Sequence, residues 1–233
     1  MVYKRLKSCN IPRLRYTHLQ QALEKKVKEL IKNPNVKGII IFGSIARGDY
    51  DANSDIELKV IDKGIKDHKV LLSREGGVDF NIHFNHSLNL KKRKQVKWRI
   101  EPPFTKSWIV TDETGELRKL QQLDQKMSKK GREPLEKEEK LSFSHRLAEL
   151  VRECKRFHNN PATLFLLLSE FIRSTLQFYY ALNRIWWPGF KKVMGDIENR
   201  NSDIAKLIKE VIGQGDSDYR IRLAEEILKE LKS

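Results

Sequence analysis

Apolar positions recur at helical spacing over residues 16–32, with Leu19, Leu23, Val27, Leu30 and Ile31 on one stripe. Asn33-Pro34-Asn35 ends that helix. Val36 to Phe42 is an almost continuous apolar run, the pattern of a buried strand. Ile56 to Ile61 alternates: Ile56, Leu58 and Val60 face one way, Glu57 and Lys59 the other. Gly76-Gly77 predicts a turn between strands near Lys69–Ser73 and Val78–Phe84. Ser107–Thr111 is a further candidate strand, closed by Gly115.

Beyond residue 115 the pattern changes. A charged stretch interrupted by Gly131 and Pro134 leads into segments from Leu141 onward that read as helices. Pro161 and Pro188 sit where helices can begin. The chain therefore reads as a domain of strands and helices over 1–115 and an all-α helical bundle over 116–233, with no repeat and no low-complexity linker.

Composition sharpens this picture. Of 233 residues 39% are apolar and 33% charged, which fits a folded, soluble chain with a real core. No apolar run approaches the roughly 20 residues of a membrane helix, and the basic start lacks an apolar stretch of the secretory kind. Cys9 and Cys154 make neither a disulfide framework nor a zinc site. The expectation is a reduced, cytoplasmic protein with no membrane partner. The net charge of +15 fits a nucleotide, RNA or an acidic protein, with simple solubility as the alternative. The run from Lys91 to Arg99, which includes Trp98, is the candidate RNA contact or else a solvated face. Oligomeric state is not legible.

The chemistry concentrates in GSIARGDYDANSDIEL, residues 43–58. A strand that ends in Gly43-Ser44 offers free backbone N–H groups and a hydroxyl to a phosphate. Asp55 and Glu57, two apart on the next strand, point the same way. Asp79 lies between Val78 and Phe80 on a later strand, on the face opposite its apolar neighbours. Three such carboxylates repel one another unless a cation holds them, and their hard oxygens suit Mg²⁺. Arg47 either reaches a triphosphate or pairs on a helix surface; Ser54 either bonds the nucleotide or shapes the turn before the strand.

In these residues the chain resembles the DNA polymerase β-like nucleotidyltransferase superfamily, whose signature is a hydrophobic strand, Gly-Ser, a spacer, Asp-x-Asp or Asp-x-Glu, and a third Asp on a later strand. GSIARG with SDIEL is most similar to the small prokaryotic branch of minimal and antibiotic-type enzymes. Glu57 stands where the second Asp often does. IVTDETGEL and LQFYYALNRIWWPGFKK are similar to segments of two-domain members with a C-terminal helical domain. The resemblance implies an α+β fold, a mixed sheet with helices, followed by the bundle. It implies Asp55, Glu57 and Asp79 as catalytic metal ligands for Mg²⁺ or Mn²⁺. It also implies Gly43 and Ser44 at the nucleoside triphosphate, with ATP the first expectation; Arg47 and Ser54 are further candidates there, and Asn183, Arg184 and Lys191 are candidates for contact with the acceptor or nucleotide. The expected reaction moves a nucleoside monophosphate to a hydroxyl of RNA or protein. An aminoglycoside, being a polycation, suits a +15 chain poorly. The alternative is a non-catalytic or regulatory nucleotide- or RNA-binding module, such as a toxin–antitoxin component.

Overall fold

The computed structural model describes residues 2–94, 100–213 and 215–231. The chain divides into two compact units, one running to Lys130 and the other from Gly131 onward, which also takes in Ile100 and Glu101.

The first unit is a five-stranded mixed sheet, order β3-β4-β2-β1-β5. Its strands are β1 (Val36–Phe42), β2 (Ile56–Asp62), β3 (Lys69–Glu75), β4 (Val78–Asn85) and β5 (Trp108–Asp112). β1 runs antiparallel to β2 and β5, and β3 to β4, whereas β2 and β4 are parallel. Gly76 and Gly77 both take positive φ, 58° and 82°, so the β3–β4 hairpin closes through a turn that other residues adopt only with strain. The helices of this unit are α1 (Val2–Lys7), α2 (Thr17–Lys32), α3 (Gly43–Arg47), α4 (Leu90–Lys94) and α5 (Glu116–Lys130). Among them α1 had no counterpart in the sequence pattern.

Each sheet face has its own core. On one side Ile39, Ile41, Leu58, Val60, Phe80 and Ile82 meet the stripe of α2, with Leu19, Leu23, Val27 and Ile31 buried. Each such side chain contributes about 1.5–3 kcal/mol by leaving water. On the other side α5 lays Leu117 and Leu120 over Ile40, Ile61 and Phe42, together with Phe104. It comes so close that a Cβ on Gly38 would stand 2.7 Å from Leu117 Cδ1. This helix was hidden in the sequence by its charges, and its packing carries the first unit to Lys130, beyond the expected boundary at 115.

The second unit is helical: α6 (Lys137–Arg156), α7 (Pro161–Leu182), α8 (Phe190–Arg200), α9 (Ser202–Gly213) and α10 (Ser217–Glu230). Its core gathers Leu147, Leu150, Leu168, Phe171, Ile197, Ile208 and Ile227. Glu136 and Glu139 form a capping box on α6, which therefore begins before Leu141. Pro161 opens α7 behind the Asn160 cap, whereas α8 starts after Gly189, not at Pro188.

One buried charge ties the first unit's second core together. Asp124 of α5 is fully buried; it accepts from Arg93 Nε at 2.6 Å and from the Phe104 backbone N–H at 3.0 Å. Removing it takes a buried carboxylate from the Arg93 guanidinium, which lies 5.2 Å from the Phe104 ring, and takes the acceptor from the Phe104 N–H. Asp124→Ala should therefore cost about 3–5 kcal/mol in urea unfolding of the first unit at neutral pH. A loss below about 1 kcal/mol would contradict this placement of the pair.

Candidate active site

At the end of β1 the chain turns at Gly43, with φ +72°, into the short α3. Two constraints require glycine there. The left-handed conformation strains any L side chain, and a Cβ at Gly43 would lie 1.7 Å from Glu57 Oε2. The carboxylate of Glu57 thus rests against the bare backbone of Gly43. Ser44 is half-buried at the start of α3, and its carbonyl accepts from the backbone of Gly48 and Asp49.

The loop from α3 to β2 is held from outside. Arg15 Nη2 donates to the carbonyl of Tyr50 at 2.6 Å, and its guanidinium lies 4.6 Å from the Tyr50 ring. The loop then closes on itself: Ser54 Oγ accepts from Asp51 N at 3.0 Å and donates to Asp51 Oδ1 at 3.3 Å. The Ser54 hydroxyl therefore shapes the turn into β2. Arg47 is exposed and its Nε sits 3.3 Å from Asp49 Oδ2.

Asp55 is exposed at the mouth of β2, and Glu57, one pleat further in, is half-buried. Burial raises the Glu57 carboxyl above its ordinary value, Asp55 raises it further, and Arg47 opposes both. The parallel β2–β4 register sets Ile56 beside Phe80 and Glu57 beside Asn81; continued one residue before Ile56, it sets Asp55 level with Asp79. Asp79 is largely exposed, its Oδ1 3.7 Å from Arg74 Nε on β3. Among the described residues no three acidic, histidine or cysteine side chains converge as a metal cluster. The structure couples Asp55 to Glu57 and leaves Asp79 on the same edge, facing Arg74. A half-buried carboxylate destabilised by a second one, both with hard oxygens, is a donor pair that fits a divalent cation.

Residues 24–101 match the family described as polymerase beta, nucleotidyltransferase. This segment is a polymerase β-type nucleotidyltransferase domain. The chain is also similar in fold to the crystal structure of a nucleotidyltransferase-like protein from Exiguobacterium sibiricum. That similarity has a TM-score of 0.50 at 17% identity and covers 91% of this chain and 74% of that one. No curated protein sequence matches the chain.

The nucleotidyltransferase domain carries further polar groups on the same sheet face, to which sequence reasoning assigned no role. Paired residues on neighbouring strands share a face. Behind the row of Phe42, Glu57, Asn81 and Leu72 comes the row of Ile40, Lys59, His83 and Val70. Lys59 Nζ donates to Asn85 Oδ1 at 2.9 Å and lies 5.7 Å from the centre of the Phe104 ring. Burial, and then the like charge of Arg93, lower its ammonium to about 8. His83 stacks on His68 with ring centres 5.6 Å apart. The alternation of IELKV and VDFNIHFN was the signal for this row: it puts Lys59 behind Glu57, and Asn81 and His83 behind Asp79.

Three further expected site residues belong to the second unit. Asn183 and Arg184 follow α7 in the second unit: Asn183 Nδ2 donates to the Tyr179 carbonyl, and Arg184, with φ 56°, donates from Nε to the Arg132 carbonyl. Lys191 is exposed on α8. Tyr180 belongs to the second unit's core, with its hydroxyl 2.5 Å from Asp196 Oδ2. Of the basic run, Lys91, Lys92 and Lys94 are exposed on α4, whereas residues 95–99, Trp98 included, lie outside the described residues.

Glu57 sets a stability test. Its carboxyl binds a proton more tightly folded than unfolded, so its contribution is fully present below the ordinary carboxylate range and lost as pH rises through the raised value. Glu57→Gln should therefore raise Tm at pH 7, and the gain should fade as acid protonates the wild-type side chain. Added Mg²⁺ should raise Tm of the wild type more than of the variant. A variant less stable than wild type at pH 7, with an undiminished response to Mg²⁺, would remove Glu57 from a cation site.

Proposed function

We propose that the nucleotidyltransferase domain is catalytic, moving a nucleoside monophosphate from a nucleoside triphosphate, ATP first among them, to an acceptor hydroxyl. The observation that carries this reading is the contact of Glu57 with the bare backbone of Gly43, with Asp55 coupled to it. Enzymes do not gain stability from such an arrangement; two carboxylates held together at a glycine turn are useful where phosphate and cation meet.

In this reading the backbone at Gly43 and the Ser44 hydroxyl take the triphosphate, and Arg47 adds positive charge beside it. Asp55 and Glu57, joined by Asp79, would hold Mg²⁺ or Mn²⁺. When bound, such ions polarise the phosphate and stabilise the leaving pyrophosphate. The acceptor oxygen attacks the α-phosphorus, the bond to the β-phosphate oxygen breaks, and the acceptor proton passes to Asp79. Asp79 suits that task because it is exposed to an incoming hydroxyl, whereas Glu57 is half-buried. The +15 charge favours an RNA acceptor, or an acidic protein, over a polycation. No described helix is long and apolar enough to cross a membrane.

Each labelled triphosphate, incubated with Mg²⁺ and total RNA or lysate, should label an acceptor that a gel resolves. Asp55→Asn should abolish labelling. Asp79→Asn should stop labelling while binding of a non-hydrolysable triphosphate persists, because its loss falls on the chemical step. Labelling within a few fold of wild type in Asp55→Asn would overturn the assignment.

A further inference from the structure

The row behind Glu57 presents positive charge to no carboxylate. Lys59 is half-buried, and its described partners are the neutral Asn85 amide and the face of Phe104. Its neighbouring cation, Arg93, is bound to Asp124. Across the β2–β4 pair, His83 stands level with Lys59, and His68 sits behind it with Nε2 3.4 Å from His83 Nδ1. Beside them the Asn81 Oδ1 atom is buried with no hydrogen-bond partner among the described residues. A half-buried ammonium with no counter-ion among the described residues costs stability. An orphaned amide oxygen adds to that cost. A ligand that brings an anion to Lys59 and a donor to Asn81 removes both.

The row lies one pleat repeat behind the carboxylates, about 7 Å along β2. The Gly43-Ser44 turn is at the opposite end, beyond Phe42, which pairs with Glu57. The chain thus separates two places for phosphate on one face.

We propose that Lys59, His83 and His68 form a second phosphate subsite, which holds a phosphate of the acceptor while Asn81 accepts from the adjoining sugar or base. The acceptor is then a strand end, with a phosphodiester a short way from its reacting hydroxyl. This rests on the nucleotidyltransferase reading for its purpose, though not for the binding itself.

Inorganic phosphate titrated into the full chain should shift the imidazole NMR signals of His83 and His68, assigned with His83→Gln. The shift should persist when a non-hydrolysable ATP analogue and Mg²⁺ are saturating. In that same complex the dinucleotide ApA should bind more tightly than adenosine. Lys59→Met should erase this preference, weakening ApA about tenfold and adenosine little, as loss of one charge-assisted bond implies. Lys59→Arg should restore most of it. Lys59→Met should also melt no lower than wild type, because it removes a half-buried charge that lacks a counter-ion among the described residues. Phosphate that leaves both histidines unshifted overturns the subsite. Displacement of phosphate by the ATP analogue alone overturns its assignment to the acceptor. A Lys59→Met variant that melts lower yet keeps the ApA preference makes the lysine merely structural. Failure of nucleotide transfer with the phosphate shifts intact would instead sink the catalytic reading and leave the subsite standing.

Discussion

Everything in the first unit's chemistry depends on the approach of the Glu57 carboxylate to Gly43. A Cβ at residue 43 would stand 1.7 Å from Glu57 Oε2, so any residue larger than glycine there displaces the carboxylate from this position. The turn's left-handed backbone imposes the same choice independently. This contact sets the Glu57 carboxylate of β2 against the turn that joins β1 to α3. Arg15 and the Asp51–Ser54 turn hold the intervening loop from either side as it runs from Gly43 to the acidic pair.

The sheet then grades this face from acidic to basic. Asp55 and Asp79 lie at one edge, Glu57 and Asn81 behind them, Lys59 and His83 behind those, and α5 covers the far end with Leu117 and Leu120. Parallel pairing of β2 with β4 is what aligns these rows; a one-residue slip would bury the acids under α2. The same pairing therefore serves the α2-side core and the polar face at once.

Much of this was legible in the chain. The apolar stripe of α2, the buried run of β1 and the alternation in β2 each reflect one-sided burial, which a linear pattern records directly. Gly43, Ser44, Asp55, Glu57 and Asp79 could be chosen because their order and spacing carry a family signature. The helix α5 was harder: two leucines and a buried aspartate hide among lysines and glutamines, and Asp124 reads as a surface residue until Arg93 is placed on it. Lys59 and His83 were visible as polar-face residues, but that Lys59 has no counter-charge among the described residues is a three-dimensional fact that no spacing reveals. Ser54 shows the reverse case, a residue conspicuous in the motif whose hydroxyl is engaged in its own turn.

The central claim is that Asp55 and Glu57 are a cation site at the Gly43 turn. Its most direct test is a crystal of the full chain grown with Mn²⁺ and a non-hydrolysable ATP analogue, read by anomalous scattering from the metal. The account predicts an anomalous peak bonded to oxygens of both Asp55 and Glu57, with the nucleotide's phosphates beside Gly43 and Ser44. Nucleotide bound elsewhere, or bound at that turn with no metal peak at either carboxylate, would contradict it.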